Sequence, residues 1–356
     1  MSTNIVTSHL ETDVTAEGKE GPISKSTYKW KLVWSHVFIM VFIYAGGLYG
    51  LYLFLFYCSW KTCLWTYIYG TISLQGVTAG THRLWSHRSY KAKLPLRIIL
   101  MICQSIAFQG HIYSWARNHR AHHKFSDTDA DPHNAKRGFF FSHVGWLLVV
   151  KHEDFINKRK TIFVDDLESD AVVQFQRKHY FFLVILLCYI IPTIVPWYFW
   201  NESLSISWYT AAMFRHCVSL NAIYCVNSIA HLFGTKPYDK KIGAVENSLI
   251  SVVTNGEGWH NYHHVFPWDY KTSEFGNSRL NQTTMFINFF AKIGWAYDLK
   301  TVAKELIERK AIRSGDGSKF NFENQHNSKA VWGWGDSEMK TEDIEEVKKY
   351  NKLIEF

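Results

Sequence analysis

The chain has 356 residues, of which 47 % are hydrophobic, 17 % aromatic and only 20 % charged. One water-soluble domain with that many rings would need an unusually large core, so part of the chain is expected to lie in lipid. The net charge of +8 would suit a nucleic-acid binder, but the basic residues flank apolar runs, as cytoplasmic loops of membrane proteins do, and no nucleic-acid partner is expected. The six cysteines make no disulfide or zinc framework. Cys103, Cys188, Cys217 and Cys225 fall in apolar runs as small hydrophobes, and only Cys58 and Cys63, on either side of a short turn, are placed to pair.

In chain order, residues 1–30 are polar and lack the apolar stretch of a signal peptide, which reads as a disordered tail. From Trp34 to Cys58 about 25 residues run without a charge, enough to cross a hydrocarbon core of about 30 Å at about 1.5 Å per residue. After a turn at Ser59–Thr62, a second uncharged run covers Cys63 to Thr81; its glycines and threonines suit a helix packed among others. A third runs from Tyr180 to Trp200, with Pro192 and Pro196 as kink points, and a fourth from about residue 207 to 230. The fourth carries Arg215 and His216, which must face protein rather than lipid. Ile98–Ala116 and Gly243–Asn255 are shorter or interrupted, as interfacial or re-entrant helices are.

The fold expected is therefore an all-α integral membrane protein. Four transmembrane helices, at about 34–58, 63–81, 180–200 and 207–230, form two hairpins under a cytosolic helical cap, with the membrane domain at 31–310 and a charged tail at 311–356. The basic segment 82–179 favours the cytosol, and the two short loops, with Lys61 and Glu202, the opposite side; both termini are then cytosolic.

Nine of the 18 histidines form a pattern. His82 and His87 follow the second run, His119, His122 and His123 stand in His-x-x-His-His, His260, His263 and His264 repeat it, and His231 closes the fourth run. Positions i, i+3 and i+4 share a helix face, so each His-x-x-His-His is expected to aim three imidazoles at one locus. Nine neutral nitrogens are too many for one metal and suit two, and imidazole alone does not choose between iron, zinc, copper and nickel. His36, His133, His143, His152, His179 and His216 fit no ligand spacing. Asp127-Thr-Asp-Ala-Asp131 opens like a calcium loop, but Pro132 and Gly138 stand where Gly and Glu are needed. Glu257-Gly-Trp-His260 is a single Glu-x-x-His, whereas soluble di-iron bundles need two.

These three boxes resemble those of the membrane fatty acyl-CoA desaturases, and the resemblance extends over about residues 30 to 310, including Gly138–Trp146 and Gly256–His264. It is strongest to the insect first-double-bond enzymes, among them those of moth sex-pheromone synthesis. The resemblance implies two Fe(2+) held by the nine histidines, with Asn227 reaching metal through water. It further implies that iron reduced by cytochrome b5 and its NADH-dependent reductase activates O2, and that two hydrogens leave adjacent methylenes of a fatty acyl-CoA. An unactivated C–H bond offers no handle for acid–base chemistry, which agrees with a redox metal. No haem-binding His-Pro-Gly-Gly occurs, so b5 is expected to be a separate protein. By resemblance Arg117, Asn118 and Lys151 hold CoA. Gly70, Leu74 and Thr78, at i−4 steps from His82, share a face that would line an acyl tunnel, with Gly70 leaving room at its end. The stretch Gly243-Ala-Val-Glu246 differs from the common Δ9 and Δ11 signatures, which leaves regiochemistry open.

Two other readings stand beside this one. A hydroxylase, acetylenase or conjugase of the same family would use the same ligands. A divalent-metal transporter could also carry membrane histidines, but would need them near mid-membrane. The endoplasmic reticulum is the membrane expected from the family, and the sequon Asn201-Glu-Ser203 lies too near the bilayer to be glycosylated.

Overall fold

A computed structural model describes residues 30–275 and 281–319; most of the two expected tails lies outside them. The described chain is almost wholly helical, apart from one two-stranded antiparallel pair, Lys91–Ala92 (β1) against Ala296–Tyr297 (β2). Two helices are long and apolar enough to cross a bilayer, α1 (Trp34–Phe56) and a 30-residue helix, Ala171–Trp200. A third candidate is a bent pair, α2 (Leu94–Ala107) and α3 (Ile112–Lys124), which turn through 83° at Phe108 and Gly110, both with positive φ. The bend agrees with an interrupted segment, as a broken span or a re-entrant helix pair would give.

The other two apolar runs are helices of similar length but mixed composition. Trp60–Gln75 continues without a break into π-helical turns over Gly76–Ser86, and Leu204–Ser207 continues through π-helical Trp208–Phe214 into α4 (Arg215–Leu232). Both run past the expected limits of 63–81 and 207–230. The difference is physical: Ser59 caps the first helix by accepting from Thr62 N–H, and the π turns carry it past the last apolar residue into the cap.

Small residues set the packing. Gly46, Gly47 and Gly50 of α1 lie against Met213, Cys217 and the Tyr209 backbone, so two helices meet with almost no side chain between them. Gly76 is closer still. An added Cβ would land on the backbone of Cys103 and Gln104, where α2 crosses. Backbone cannot step aside as a side-chain tip can, so Gly76→Ala is expected to leave no monodisperse, correctly folded protein on size-exclusion chromatography after detergent extraction.

Arg215 and His216 do face protein, at 2 % and 0 % exposure. Arg215 donates to the carbonyls of Ala211, Ile106 and Cys188 and sits 5.4 Å from the Tyr69 ring centre. His216 Nδ1 lies 3.0 Å from the Tyr189 hydroxyl. Cys58 and Cys63 are free thiols, not a disulfide.

The cap core gathers Trp85, Tyr90, Leu96, Leu100, Ile112 and Leu167 from four segments. Its C-terminal part is built from α5 (His260–Val265), α6 (Gln282–Lys292) and α7 (Lys304–Ser314). Ala311 is buried with Tyr238, Tyr262 and Phe266, so the folded unit runs beyond the boundary expected at residue 310.

Candidate metal centre

The nine histidines of the pattern converge in two groups. His82, His87, His119, His123 and His263 form one, and His122, His231, His260 and His264 the other; in each, one nitrogen per residue lies within 4.8 Å of all the rest. The boxes are therefore shared crosswise, which corrects the expectation of one locus per box. Each residue turns an α-helix by about 100°, so i and i+4 stay together while i+3 and i+4 diverge by about 100°. His119 and His123 go one way and His122 the other; His260 and His264 go together and His263 crosses over.

His82 and His87 need a different explanation, since five residues do not return to one face of an α-helix. Here the helix is π-type, with bonds from i+5 to i, and the His87 N–H reaches the His82 carbonyl at 3.1 Å. The two rings meet edge to face, their centres 4.9 Å apart.

The inward atoms are Nε2 throughout. His87 faces His119 at 2.8 Å, His82 faces His263 at 2.9 Å, and His263 faces His123 at 3.0 Å. In the second group His260 faces His231 at 3.1 Å and His264 at 3.0 Å, and His122 faces His264 at 3.2 Å. Burial, then the neighbouring imidazoles, hold His87, His119, His123, His260, His263 and His264 well below the usual histidine range, so they are neutral. Neutral lone pairs crowded this closely repel unless a cation sits among them, and an all-imidazole set suits a first-row transition metal. The residues present fit a pair of such ions.

Carboxylates hold the outer nitrogens of His82 and His122, and a third lies near that of His231. Glu257 receives the His82 Nδ1 at 2.9 Å with one oxygen and the Arg83 guanidinium at 2.8 Å with the other. Asp131 receives the His122 Nδ1 at 2.9 Å and is itself held by the N–H groups of Asp127 and His133. Asp127 lies 3.5 Å from the His231 Nδ1. Burial opposes charge on Asp131 and Glu257, but His122 and His133 beside the first, and Arg83 and His82 beside the second, keep both carboxyls below the usual range. An acceptor at Nδ1 fixes the tautomer and leaves Nε2 bare for metal. Sequence reasoning set both features aside as failed calcium and di-iron motifs. Their signal was present in acidic residues placed a few positions from the boxes.

A narrow cavity of about 30 Å³ touches both groups through His82, His119, His122 and His260. Its other walls are Val77, Thr78, Trp115, Ile223, Val226, Asn227 and Glu257, apolar but for Thr78, Asn227 and the Glu257 carboxylate. It admits a water-sized species.

A model of the fatty acid desaturase family matches residues 59–273. The chain belongs to that family. The desaturase is 53 % identical to an acyl-CoA Delta-9 desaturase from Acheta domesticus over 90 % of this chain and 87 % of that one. It is 47 % identical to an acyl-CoA Delta-12 desaturase from Tribolium castaneum, over 96 % and 98 %. An acyl-CoA Delta(11) desaturase from Trichoplusia ni shares 49 % identity over 87 % and 86 %. Relatives named for three different double-bond positions match at similar identity, so overall similarity does not select one.

The remaining site candidates of the desaturase fall in three places. Asn227 lines the cavity one helical turn before His231. Of the tunnel set, Thr78 reaches the cavity, Leu74 packs with Val77, Ala107 and Ile223, and a Cβ at Gly70 would meet Arg215 and Ser219 at ordinary contact distances. Arg117 and Asn118 meet Arg159, which sequence reasoning missed: its Nε donates to Asn118 at 2.6 Å, and its carbonyl accepts from Arg117 at 3.2 Å. Lys151 turns onto Trp146, 4.3 Å above the ring and donating to its carbonyl, and burial pushes its ammonium down to about 7.

Proposed function

We propose that this chain is an O2-dependent fatty acyl-CoA desaturase with two Fe(2+), one held by His82, His87, His119, His123 and His263 and the other by His122, His231, His260 and His264. The observation that carries the reading is two groups of imidazoles, three of them with a carboxylate beside Nδ1, opening on one cavity with largely apolar walls. Iron bound there would supply the O2-activating redox chemistry, fed by a separate cytochrome b5 and its NADH-dependent reductase, that breaks unactivated C–H bonds.

The chain's own residues do the rest. Glu257, Asp131 and Asp127 hold the imidazoles in register, and Asn227 meets the second group through water. Val77, Trp115, Ile223 and Val226 wall the cavity with apolar surface, which excludes bulk water and accepts methylenes. Arg117 and Lys151, with Arg159, supply the cations that phosphates of CoA require, and Asn118 holds Arg159 through its amide oxygen. The acyl chain would run from Thr78 past Leu74 toward Gly70. Four spans in two hairpins, at Trp34–Phe56, Trp60–Ser86, Ala171–Trp200 and Leu204–Leu232, would put the histidines on the cytosolic face of the endoplasmic reticulum, where acyl-CoA and b5 are met.

Expression in a desaturase-deficient yeast, with gas chromatography and double-bond location, tests this beside a His123→Ala control. A new monoene absent from the control is expected and gives the position directly. A hydroxylated or conjugated product, or none from verified protein supplied with acyl chains, would overturn it. In the same assay Gly70→Tyr is expected to shift the product profile toward shorter chains by filling the far end of the path; an unchanged profile would remove Gly70 from the tunnel.

A further inference from the structure

In the first two histidine boxes an arginine follows a member of the five-imidazole group, as His87-Arg88 and as His119-Arg120. The two rings face one another through Nε2 at 2.8 Å, closer than the other facing pairs, at 2.9 to 3.2 Å. The arginines turn the other way, and both end on one carboxylate, Asp166.

Arg88 gives Asp166 its Nε at 2.8 Å and a terminal nitrogen at 2.7 Å. Arg120 gives it both terminal nitrogens, at 2.8 and 2.6 Å. Each guanidinium is therefore bidentate on the same two oxygens, the strong and directional form of this pairing. Burial opposes charge on Asp166, but Arg120 and Arg88 hold its carboxyl well below the usual range, so it is ionised. Without it the two guanidiniums would stand side by side as like charges.

The remaining donors of Arg120 reach the first box. Its Nε donates to the Ser86 carbonyl at 3.0 Å, and its terminal nitrogens to the carbonyls of Trp85 at 2.6 Å and Phe163 at 2.7 Å. Trp85 and Ser86 end the π-helical stretch that presents His82, so a side chain of α3 caps the helix of the first box. Arg88 needs holding for another reason. Its φ of 51° lies in the left-handed region that residues other than glycine rarely adopt, and this turn takes the chain away directly after His87. Asp166 itself is anchored, since it stands in the short helix Asp165–Glu168, whose Leu167 is fully buried in the cap core with Trp85.

We propose that Asp166 is a positioning residue for the metal centre, which by clasping Arg88 and Arg120 sets the approach of His87 to His119 and so the affinity of the five-imidazole group for its ion. Glu257, Asp131 and Asp127 each lie beside the Nδ1 of one ring, whereas Asp166 acts on the two backbones that carry a facing pair. The four-imidazole group takes no ring from the first box, so it is expected to be spared. The inference rests on the two-ion reading, and its test tells the two apart.

The test strips metal from the full chain in detergent, titrates Fe(2+) without oxygen and counts retained ions by mass spectrometry. His122→Ala leaves the five-imidazole ion to be read alone, and His263→Ala the four-imidazole ion. Added to His122→Ala, Asp166→Asn is expected to weaken iron binding about tenfold, the low end of what loss of an outer partner does. Added to His263→Ala, it is expected to leave binding unchanged. Asp166→Glu, which keeps the charge, is expected to restore part of the loss. If Asp166→Asn does not fold, Arg88→Gln alters the same clasp at a side chain 36 % exposed. It is expected to weaken the five-imidazole ion alone, by about threefold, the contribution of a half-exposed ion pair. Equal weakening in both backgrounds would make Asp166 a part of the general fold and overturn the proposal, as would no weakening in either. Fewer than two ions on the unaltered chain would overturn the two-ion reading, and this inference with it.

Discussion

His263→Ala is expected to abolish double-bond formation and to lower bound iron, measured by mass spectrometry of the purified protein, from two ions per chain toward one. The reason is the crosswise arrangement. His263 belongs to the third box by sequence, yet its Nε2 faces His82 and His123, not its neighbours His260 and His264. Its loss strips the five-imidazole group and leaves the four-imidazole group complete. His122→Ala, from the middle box, is expected to do the converse. A metal held by three ligands of one box would respond differently, since His119, His122 and His123 would then be equivalent. Two ions retained in His263→Ala would refute the assignment, whatever became of activity.

Glu257→Gln is expected to have the second largest effect, and chiefly on stability. Arg83 is fully buried, and Glu257 is the carboxylate that neutralises it; the other partners of the guanidinium are the carbonyls of Tyr270 and Lys271, the Asn281 side chain and the Thr284 hydroxyl. Glutamine keeps the shape but removes the charge and sets an NH2 group against one of the two donors, His82 Nδ1 or the Arg83 guanidinium. Breaking one side of a buried pair costs about 3–5 kcal/mol, because the remaining charge is stranded. The same substitution takes the acceptor from the His82 Nδ1, and loss of such an outer partner commonly weakens metal binding about 10–100-fold. The expected result is a lower melting temperature in iron-free and iron-loaded protein alike, with a larger drop in the loaded form. Glu257→Asp, which keeps the charge, should recover part of the iron-free loss. A melting temperature unchanged in both forms would show that Arg83 finds its compensation elsewhere.

Much of the fold was legible because it rests on local chemistry. Apolar runs without charges mark segments that need no water, and all of them are helical: α1 and Ala171–Trp200 qualify as spans on length and hydropathy. Arg215 had to be turned inward, and is, because no lipid solvates a guanidinium. The other two helices were harder to bound. Their ends are set by the Ser59 cap and by π turns that no hydropathy window registers, since an i+5 bond depends on packing and not on composition.

The set of nine histidines that converge was likewise written in the sequence, as spacing and residue type. How they divide was not. A helix fixes the angle between neighbouring side chains, but only docking α3 against α5 decides which of two points each angle meets. The supporting carboxylates show the same limit: Asp131 lies nine residues from His122 and Glu257 lies 175 from His82, so only the fold makes them partners. The unpaired Gln75 is the clearest case. In the sequence it is one polar residue in a mixed helix; only the tertiary packing leaves its Oε1 buried without a hydrogen-bond partner. The sequence by itself determined that imidazoles would gather beside long apolar helices, because that follows from periodicity and solvation. The tertiary structure alone decided which imidazoles face one another and which carboxylates back them, because those depend on distances between segments that the chain brings together only on folding.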